Sequence, residues 1–255
     1  MNQAEKAKAF AAMHVKGDPL VLFNIWDAGS AKVVAEAGAP AVATGSWSVA
    51  AAHGYQDGES IPLELLEVVT SRIAATVDAP LTVDFEGGYA AGPEGIAANV
   101  GRIIRSGAIG VNFRDQIVGG DGLYEIDIQA TRLQAAVQAG EENGVALFVN
   151  ARTDIFLKER DRSRHPALLQ GAKDRAAAYA EAGASGFFAP GLVDIDLVAD
   201  LCGASSLPVN ILIMPEAPSH ADLAKSGVAR ISYGPGPYRR YAAMLAEMYR
   251  TVMQG

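Results

Sequence analysis

Short apolar runs alternate with amphipathic stretches along the whole chain. Runs of three to six apolar residues are typical of buried strands, and the longer stretches between them have the period of a helix. The predicted strands are Leu20–Phe23, Ala41–Thr44, Leu81–Val83, Ala108–Phe113, Val145–Val149, Gly186–Ala189, Val209–Ile213 and Val228–Ser232. The predicted helices are Ala28–Ala37, Pro62–Thr76, Pro93–Arg105, Ile128–Glu142, Ala167–Ala182, Ile195–Leu201, Pro218–Lys225 and Pro237–Met253.

This alternation predicts an α/β fold of the (β/α)8 barrel type, as one domain over residues 1–255. Four helices end in a similar phrase, a glycine with small residues before the next strand, at 36–40, 105–110, 181–186 and 225–230. Such phrases are typical of the short loops that lead from a helix into a strand. A doubly wound open sheet is the alternative, although it normally has fewer units.

Composition narrows the functional class. The net charge of −8 argues against broad nucleic-acid binding, which needs a basic face, but allows a small anionic substrate in a locally positive pocket. The single cysteine, Cys202, excludes an intrachain disulfide and argues against a thiolate metal site. No signal peptide or membrane-spanning run is recognisable, so we expect a cytoplasmic protein with no membrane partner.

Polar residues concentrate where the predicted strands end, which in a barrel is the mouth that carries the active site. Asp84 and Glu86 follow the third strand, and on an extended chain they point to the same side. Two neighbouring carboxylates favour a shared hard cation such as Mg2+. A helix cap or an ion pair with an arginine is the alternative for either residue.

Other strand ends offer groups that bind an anion. Gly45 and Ser46 can bring backbone N–H groups to a carboxylate or phosphonate, or can simply form a tight loop packed on Trp47. Arg152 suits bidentate carboxylate binding, or an ion pair with a neighbouring carboxylate such as Asp154.

Two further features bear on partners. Asn210 lies in the seventh predicted strand and is a candidate substrate-binding residue. The last helix carries an apolar and aromatic stripe, which predicts packing against the barrel or an oligomer interface. The stripe consists of Tyr238, Tyr241, Leu245, Met248, Tyr249 and Val252.

Six segments in order resemble the isocitrate lyase/phosphoenolpyruvate mutase superfamily. They are FNIWDAGSAKVVAEAG (23–38), TGSWSVAAAHGYQD (44–57), VDFEGGY (83–89), GVNFRDQ (110–116), NARTDIF (150–156) and RISYGPGPYR (230–239). The resemblance implies a (β/α)8 barrel whose eighth helix is exchanged between subunits, in a homodimer or homotetramer.

The resemblance also implies roles for the candidate residues. Asp84 and Glu86 match the family's metal-binding carboxylates, which implies Mg2+, and Asp57 matches an acidic residue that organises the metal's waters. Gly45–Trp47 match the loop whose amides hold the substrate's carboxylate or phosphonate, and Arg152 matches the arginine that binds a substrate carboxylate. These roles imply C–C or P–C chemistry through an enolate-like species that the metal stabilises.

The sequence departs from the family at two places. Arg114 stands where the family has a glutamate, so it is expected to pair with Asp84 or Glu86 and weaken the metal site, to serve as a second substrate clamp, or to point outward. The loop at 116–124 lacks the lyase cysteine flap and the mutase lysine and asparagine, which argues against an isocitrate-type lyase and against a true mutase.

The sequence therefore predicts an enzyme that cleaves a C–C bond in a small 2-oxo or 2-hydroxy dicarboxylate. P–C chemistry on a phosphonopyruvate-like substrate is the first alternative. The second alternative is a barrel that has lost its metal site and has a binding role or a changed activity. Asp57, Arg114 and Arg152 are the candidate catalytic residues. The general base is left open among His53, Tyr89 and a metal-bound water.

Overall fold

The computed structural model describes residues 1–117 and 119–254, and its described strands form one parallel sheet of eight. The strands are β1 Leu20–Leu22, β2 Val42–Ala43, β3 Leu81–Asp84, β4 Gly110–Arg114, β5 Phe148–Arg152, β6 Gly186–Phe188, β7 Val209–Leu212 and β8 Arg230–Ser232. Their order in the sheet is β1-β8-β7-β6-β5-β4-β3-β2. A parallel bridge between Ile25 and Thr44 brings the β1 and β2 ends together, so the sheet forms a nearly closed barrel. The predicted (β/α)8 fold is confirmed.

Helices follow the strands around the barrel. They are α1 Gln3–Ala12, α2 Ala28–Glu36, α3 Ser46–Ala52, α4 Leu63–Thr76, α5 Pro93–Arg105, α6 Ile126–Glu142, α7 Ile155–Lys158, α8 His165–Glu181, α9 Ile195–Ala204, α10 His220–Lys225 and α11 Gly236–Gln254, with a 3-10 turn at Arg162–Arg164. Within residues 1–117 and 119–254, no helix is both long enough and apolar enough to cross a membrane.

Three of these helices are absent from the sequence prediction: α1, α3 and the four-residue α7. The helix α1 begins with a capping box between Asn2 and Glu5, but it buries only Ala7 and Phe10 and so has a weak apolar pattern. It lies on the barrel near its lower end, where Gln3 donates to the Ile104 and Ala108 carbonyls. The helix α3 has seven residues, mostly small, and its segment has the composition of a loop.

The fifth strand lies three residues later than predicted. The apolar run predicts Val145–Val149, whereas the ladder pairs Phe148–Arg152 with Gly110–Arg114. The prediction fails because the end of this strand carries polar side chains, including Asn150 and Arg152, and so has no apolar pattern. The same polar ending extends β3 to Asp84.

Only the start of α11 packs against the barrel, where Tyr238 and Tyr241 contact the Trp26 ring. The rest of the helix does not meet the first alternative for its stripe. Pro237 is its only buried residue in the described part of the helix. The exposed apolar side chains, between 44% and 77% accessible, are Tyr241, Met244, Leu245, Met248, Tyr249, Val252 and Met253. The exchange of this helix between subunits stays a prediction.

An aromatic cluster around His14 lies beneath β5. The ring stacks on Phe148 at 4.1 Å between centroids, and Nδ1 donates to the Phe10 carbonyl at 2.9 Å. The Nε2 atom is buried and has no hydrogen-bond partner in the described residues. Burial lowers the pKa of His14 to about 3, with Arg230 acting in the same direction. The ring is therefore neutral in the folded protein.

This neutral histidine predicts a specific acid sensitivity. The unfolded chain binds a proton at His14 near pH 6.5, so stability is lost as the pH falls from 6.5 toward 3. Between pH 7 and pH 4, the wild type should lose about 3 kcal/mol more unfolding free energy than His14→Leu, in urea titrations at both pH values. His53→Gln, at an exposed histidine, is the control and should follow the wild type. Equal pH slopes for the wild type and His14→Leu would contradict the prediction.

Candidate active site

Three charged side chains meet where β3, β4 and β5 end. Asp84 is in register with Asn112, and Arg114 is in register with Arg152. The ends of parallel strands open on the same mouth of the barrel. The structure therefore brings together the carboxylate and both arginines that the sequence predicts.

Arg114 forms a buried ion pair with Glu86 and does not point outward into solvent. Its Nη2 lies 2.6 Å from Glu86 Oε2, and both side chains are buried. The Arg114 N–H also donates to the Glu86 carbonyl at 2.7 Å. Burial raises the pKa of Glu86 to about 7; Arg114 opposes this shift, and the Asp57 and Asp84 charges add to it. Of the three expectations for Arg114, the ion pair is the one observed.

Glu59, a residue that the sequence prediction missed, is the second contact of Glu86. The two loops that carry these residues exchange hydrogen bonds. The Glu59 N–H donates to both Glu86 oxygens at 3.0 Å, and Glu59 Oε1 accepts from Gly87 and Tyr89 N–H groups at 2.8 and 3.0 Å. Glu59, Glu86 and Tyr89 all have φ between 52° and 57°, which is unfavourable for residues with a Cβ. The exchange fastens the loop after β2 onto the loop after β3. Asp57 lies exposed in the same turn.

Asp84 has one engaged and one free oxygen. Its Oδ2 accepts from the Ser46 N–H at 3.1 Å, and its own N–H donates to Thr44 Oγ1 at 2.9 Å. Its Oδ1 is buried and has no hydrogen-bond partner among residues 1–117 and 119–254. The Ser46 amide, which the resemblance assigns to the substrate, therefore holds this carboxylate. Gly45 precedes it as the N-cap of α3.

Arg152 is oriented by a chain of buried polar groups. Its Nε lies 2.6 Å from Asp154 Oδ1, so the ion-pair alternative for Arg152 is observed. The Asp154 N–H donates to Asp115 Oδ1 at 3.0 Å, and Asp115 Oδ2 accepts from Tyr179 and Arg175 at 3.0 and 3.1 Å. Burial lowers the pKa of Arg152, but the Asp154, Asp84 and Asp57 carboxylates raise it overall. The guanidinium keeps its charge at the mouth.

The remaining predicted residues have more ordinary surroundings. Trp47 lies against the start of α11, where the Arg239 guanidinium is 4.6 Å from its ring centroid. His53 is exposed and its Nδ1 contacts the Val49 carbonyl at 2.9 Å, so it caps α3. Burial raises the pKa of Tyr89, and nearby carboxylates raise it further. Neither His53 nor Tyr89 is placed as a general base.

A polar layer lies inside the barrel, beneath the mouth. It contains the predicted Asn210, but the sequence prediction missed the Arg230 at its centre. Arg230 Nη2 donates to Asn112 Oδ1 at 3.3 Å, and Asn150 Nδ2 donates to the same oxygen at 2.9 Å. Arg230 Nε contacts Ser232 Oγ at 3.3 Å, and Ser232 Oγ donates to Asn210 Oδ1 at 3.2 Å. A lone arginine inside the apolar run Val228–Ser232 was the available signal.

The arrangement does not fit a divalent metal. In the part of the chain that the structure describes, no group of three or more histidine, cysteine, aspartate or glutamate side chains is placed to hold an ion. Glu86 is held by a guanidinium and an amide, which leaves Asp84 Oδ1 as the free oxygen of the predicted pair. Arg114 beside this pair would repel a divalent cation. The geometry instead suits an anionic ligand held by guanidinium groups, with Asp84 beside it.

Comparisons with known proteins agree along nearly the whole chain. The phosphoenolpyruvate phosphomutase family model matches residues 10–253. The structure of a candidate phosphonomutase from Burkholderia cenocepacia J2315 is 47% identical with a TM-score of 0.95, covering 98% of this chain and 99% of that one. An uncharacterised protein of Mycobacterium tuberculosis H37Rv is 32% identical over 247 residues, or 97% of this chain and 90% of that protein.

Another relative has a named activity. The 2-methylisocitrate lyase of Escherichia coli K12 is 25% identical over 266 residues, covering 100% of this chain and 86% of the enzyme. These matches confirm the resemblance drawn from the six sequence segments. The chain belongs to the phosphoenolpyruvate phosphomutase family, within the isocitrate lyase/phosphoenolpyruvate mutase superfamily.

Proposed function

We propose that the protein is an enzyme that cleaves a C–C bond in a small 2-oxo or 2-hydroxy dicarboxylate, through an enolate-like species. The observation that carries this proposal is a free carboxylate oxygen at the same barrel mouth as two arginines. Asp84 Oδ1 is buried with no partner among the described residues, and Arg114 and Arg152 end adjacent strands in register. The 2-methylisocitrate lyase relative supports the C–C class.

Each residue has a defined task in this proposal. The Arg152 guanidinium, oriented by Asp154, binds a substrate carboxylate. Asp84 Oδ1 accepts the proton of the substrate hydroxyl, which in a 2-oxo acid is formed by addition of water to the carbonyl. The adjacent C–C bond breaks, and the hydroxyl carbon becomes a carbonyl or, from the hydrate, a carboxylic acid. The electron pair remains on the other fragment as an enolate, whose oxygen is stabilised by guanidinium charge until a proton returns to carbon. Asp57 and the loop around Glu59 close the mouth.

Mg2+ is the cofactor that the resemblance predicts, and a structure described as phosphonopyruvate hydrolase with oxalate and Mg++ shares this fold at 21% identity and a TM-score of 0.84. In this chain the Arg114–Glu86 pair occupies part of the predicted metal site. We therefore favour the alternative in which the metal site is lost and the activity is changed, and we assign no step to a metal.

P–C bond chemistry is the second candidate, and one observation favours it. The structure that is 47% identical and covers almost all of both chains is described as a candidate phosphonomutase. A phosphonate and a carboxylate present similar anionic oxygens to guanidinium groups. The two candidates differ in the bond that breaks. P–C chemistry releases inorganic phosphate from a phosphonate or moves its phosphoryl group, whereas C–C cleavage of a dicarboxylate involves no phosphorus.

The exposed stripe of α11 supports a proposal on assembly. Tyr241 and Met244 line one side of an open groove of about 560 Å³, and Phe23, Trp26 and Val33 of the β1 loop and α2 line the other. Contiguous apolar surface of this kind marks an interaction site. We infer that a second copy of the chain covers it, in a homodimer or homotetramer. The cytoplasmic location stays a prediction.

The activity proposal predicts a substrate and variant pattern. The purified protein is incubated with 2-methylisocitrate, 2,3-dimethylmalate, oxaloacetate and phosphonopyruvate, and 2-oxo acid, oxalate and phosphate are measured. We expect cleavage of a carboxylate substrate, a fall in kcat of at least about 100-fold in Asp84→Asn, and a rise in KM of about tenfold in Arg152→Lys. Phosphate release alone would favour P–C chemistry, and wild-type turnover by Asp84→Asn would exclude the assigned base.

The Arg114–Glu86 pair predicts strong coupling in stability. Arg114→Met leaves a buried carboxylate without its cation and should lower the unfolding free energy by about 3 kcal/mol, and Glu86→Gln should have a similar effect. The double variant should be about 2 kcal/mol more stable than the sum of the single losses predicts. The exposed pair Arg250–Glu247 is the control, with coupling of about 0.5 kcal/mol. Additive losses at residues 114 and 86 would show that the pair is not formed.

The assembly proposal predicts that a charge in the stripe separates the subunits. Met248→Glu puts a carboxylate at the centre of the exposed apolar face. In sedimentation velocity experiments, the wild type should be an oligomer and this variant a monomer. Lys32→Glu, at an exposed residue of α2 that pairs with Glu36, is the control and should stay oligomeric. A monomeric wild type at micromolar concentration would refute this assembly.

A further inference from the structure

The largest fully buried side chain in the described residues belongs to Arg230, inside the barrel beneath the mouth. We propose that this layer is an anion subsite, in which Arg230 and Asn210 hold an anionic oxygen of the ligand, so that an oxalate-like dianion binds without a divalent metal. The inference rests on the proposed function only in placing the ligand at this mouth. It assigns a binding role to a residue outside the predicted site.

The side chain of Arg230 is directed toward the mouth. It begins β8, yet its Nε contacts Ser232, two residues nearer the strand end, at 3.3 Å. Its Nη2 reaches Asn112 Oδ1 at 3.3 Å, and Asn112 is the register partner of Asp84. The guanidinium therefore lies at the level where β3 and β4 approach the mouth.

The charge of this guanidinium is not neutralised by an ion pair. Among the salt bridges of residues 1–117 and 119–254, none includes Arg230. Burial lowers the pKa of Arg230 to about 9, and Asp84 is the carboxylate whose charge opposes this. A buried cation without a paired anion is unfavourable, so an anion that enters this layer is attracted to it with less screening than in water.

Two donors in this layer are unused. Arg230 Nη1 and Asn210 Nδ2 are both buried and both lack a hydrogen-bond partner in the described part of the chain. They belong to register-paired residues of neighbouring strands, and the Ser232 hydroxyl contacts both side chains. Paired unused donors match the two oxygens or the two lone pairs that a carboxylate or enolate presents.

Structural water is the alternative occupant, since a water can accept from both donors. Water satisfies the hydrogen bonds but brings no negative charge to the buried guanidinium, whereas an anion provides both. The favoured occupant is therefore an anionic oxygen. It would enter beside Asp84 Oδ1, and the positive charge that holds it would come from the protein itself.

Isothermal titration calorimetry with oxalate tests the subsite. The full chain is titrated in buffer with EDTA and in buffer with Mg2+. We expect wild-type affinities that agree within about twofold, because the cation is a side chain. Arg230→Met should weaken oxalate binding by about 50-fold, Arg230→Lys by about tenfold and Asn210→Leu by about fivefold, in both buffers.

A matched control and a folding check keep the test clear. Arg72→Met removes an exposed arginine of α4 and should bind oxalate like the wild type. Arg230→Met removes a charge that has no carboxylate partner, so its thermal midpoint should be at or above that of the wild type. Should it fail to fold, Arg230→Lys and Asn210→Leu decide, and wild-type affinity in both would overturn the subsite.

The remaining outcomes separate this subsite from the proposed function. Oxalate binding that requires Mg2+, or no oxalate binding in either buffer, overturns the subsite. Neither result refutes the proposed C–C cleavage, which the activity assay tests separately. Metal-free binding that depends on Arg230, in a protein that cleaves no 2-oxo or 2-hydroxy acid, supports the subsite and refutes the proposed reaction. Unchanged affinity in folded Arg230→Met means that water, not ligand, occupies the layer.

Discussion

The buried ion pair between Arg114 and Glu86 is the constraint on which the barrel mouth depends. Glu86 has no other cation at hydrogen-bonding distance in the described residues, and its carboxylate also receives the Glu59 amide. The pair therefore fixes the ends of β3 and β4 and, through Glu59, the loop after β2. It also holds Glu86 and Glu59 at positive φ, a conformation that neither would adopt readily alone.

The same pair gives a physical account of how this chain differs from what its family resemblance implies. A glutamate replaced by an arginine changes the local charge by two units, and the neighbouring carboxylate becomes its partner rather than a metal ligand. The free oxygen of Asp84 and the guanidinium groups of Arg152 and Arg230 remain. The chemistry proposed for the mouth uses these groups.

Much of the fold follows from local signals. Apolar runs separated by helical periods were enough to predict eight strand–helix units, and Pro93–Arg105 matches α5 at both ends. Asp84 and Arg152 were identifiable because strand ends in a barrel share one mouth. The predicted position of β5 was wrong because Asn150 and Arg152 interrupt the apolar pattern at the end of the strand. Arg230 and Glu59 were missed because their roles depend on contacts with β4 and with the β3 loop, which are distant in sequence.

The start of α11 connects assembly to the site. Trp47, next to the amide that holds Asp84, packs against Tyr238 and Arg239 at the start of α11. A few residues later, α11 exposes its apolar face. If a neighbouring copy covers that face, dilution would loosen the helix and with it the support of the Asp84 loop. Specific activity would then depend on protein concentration, and rates measured at nanomolar enzyme would describe a site with one wall unsupported.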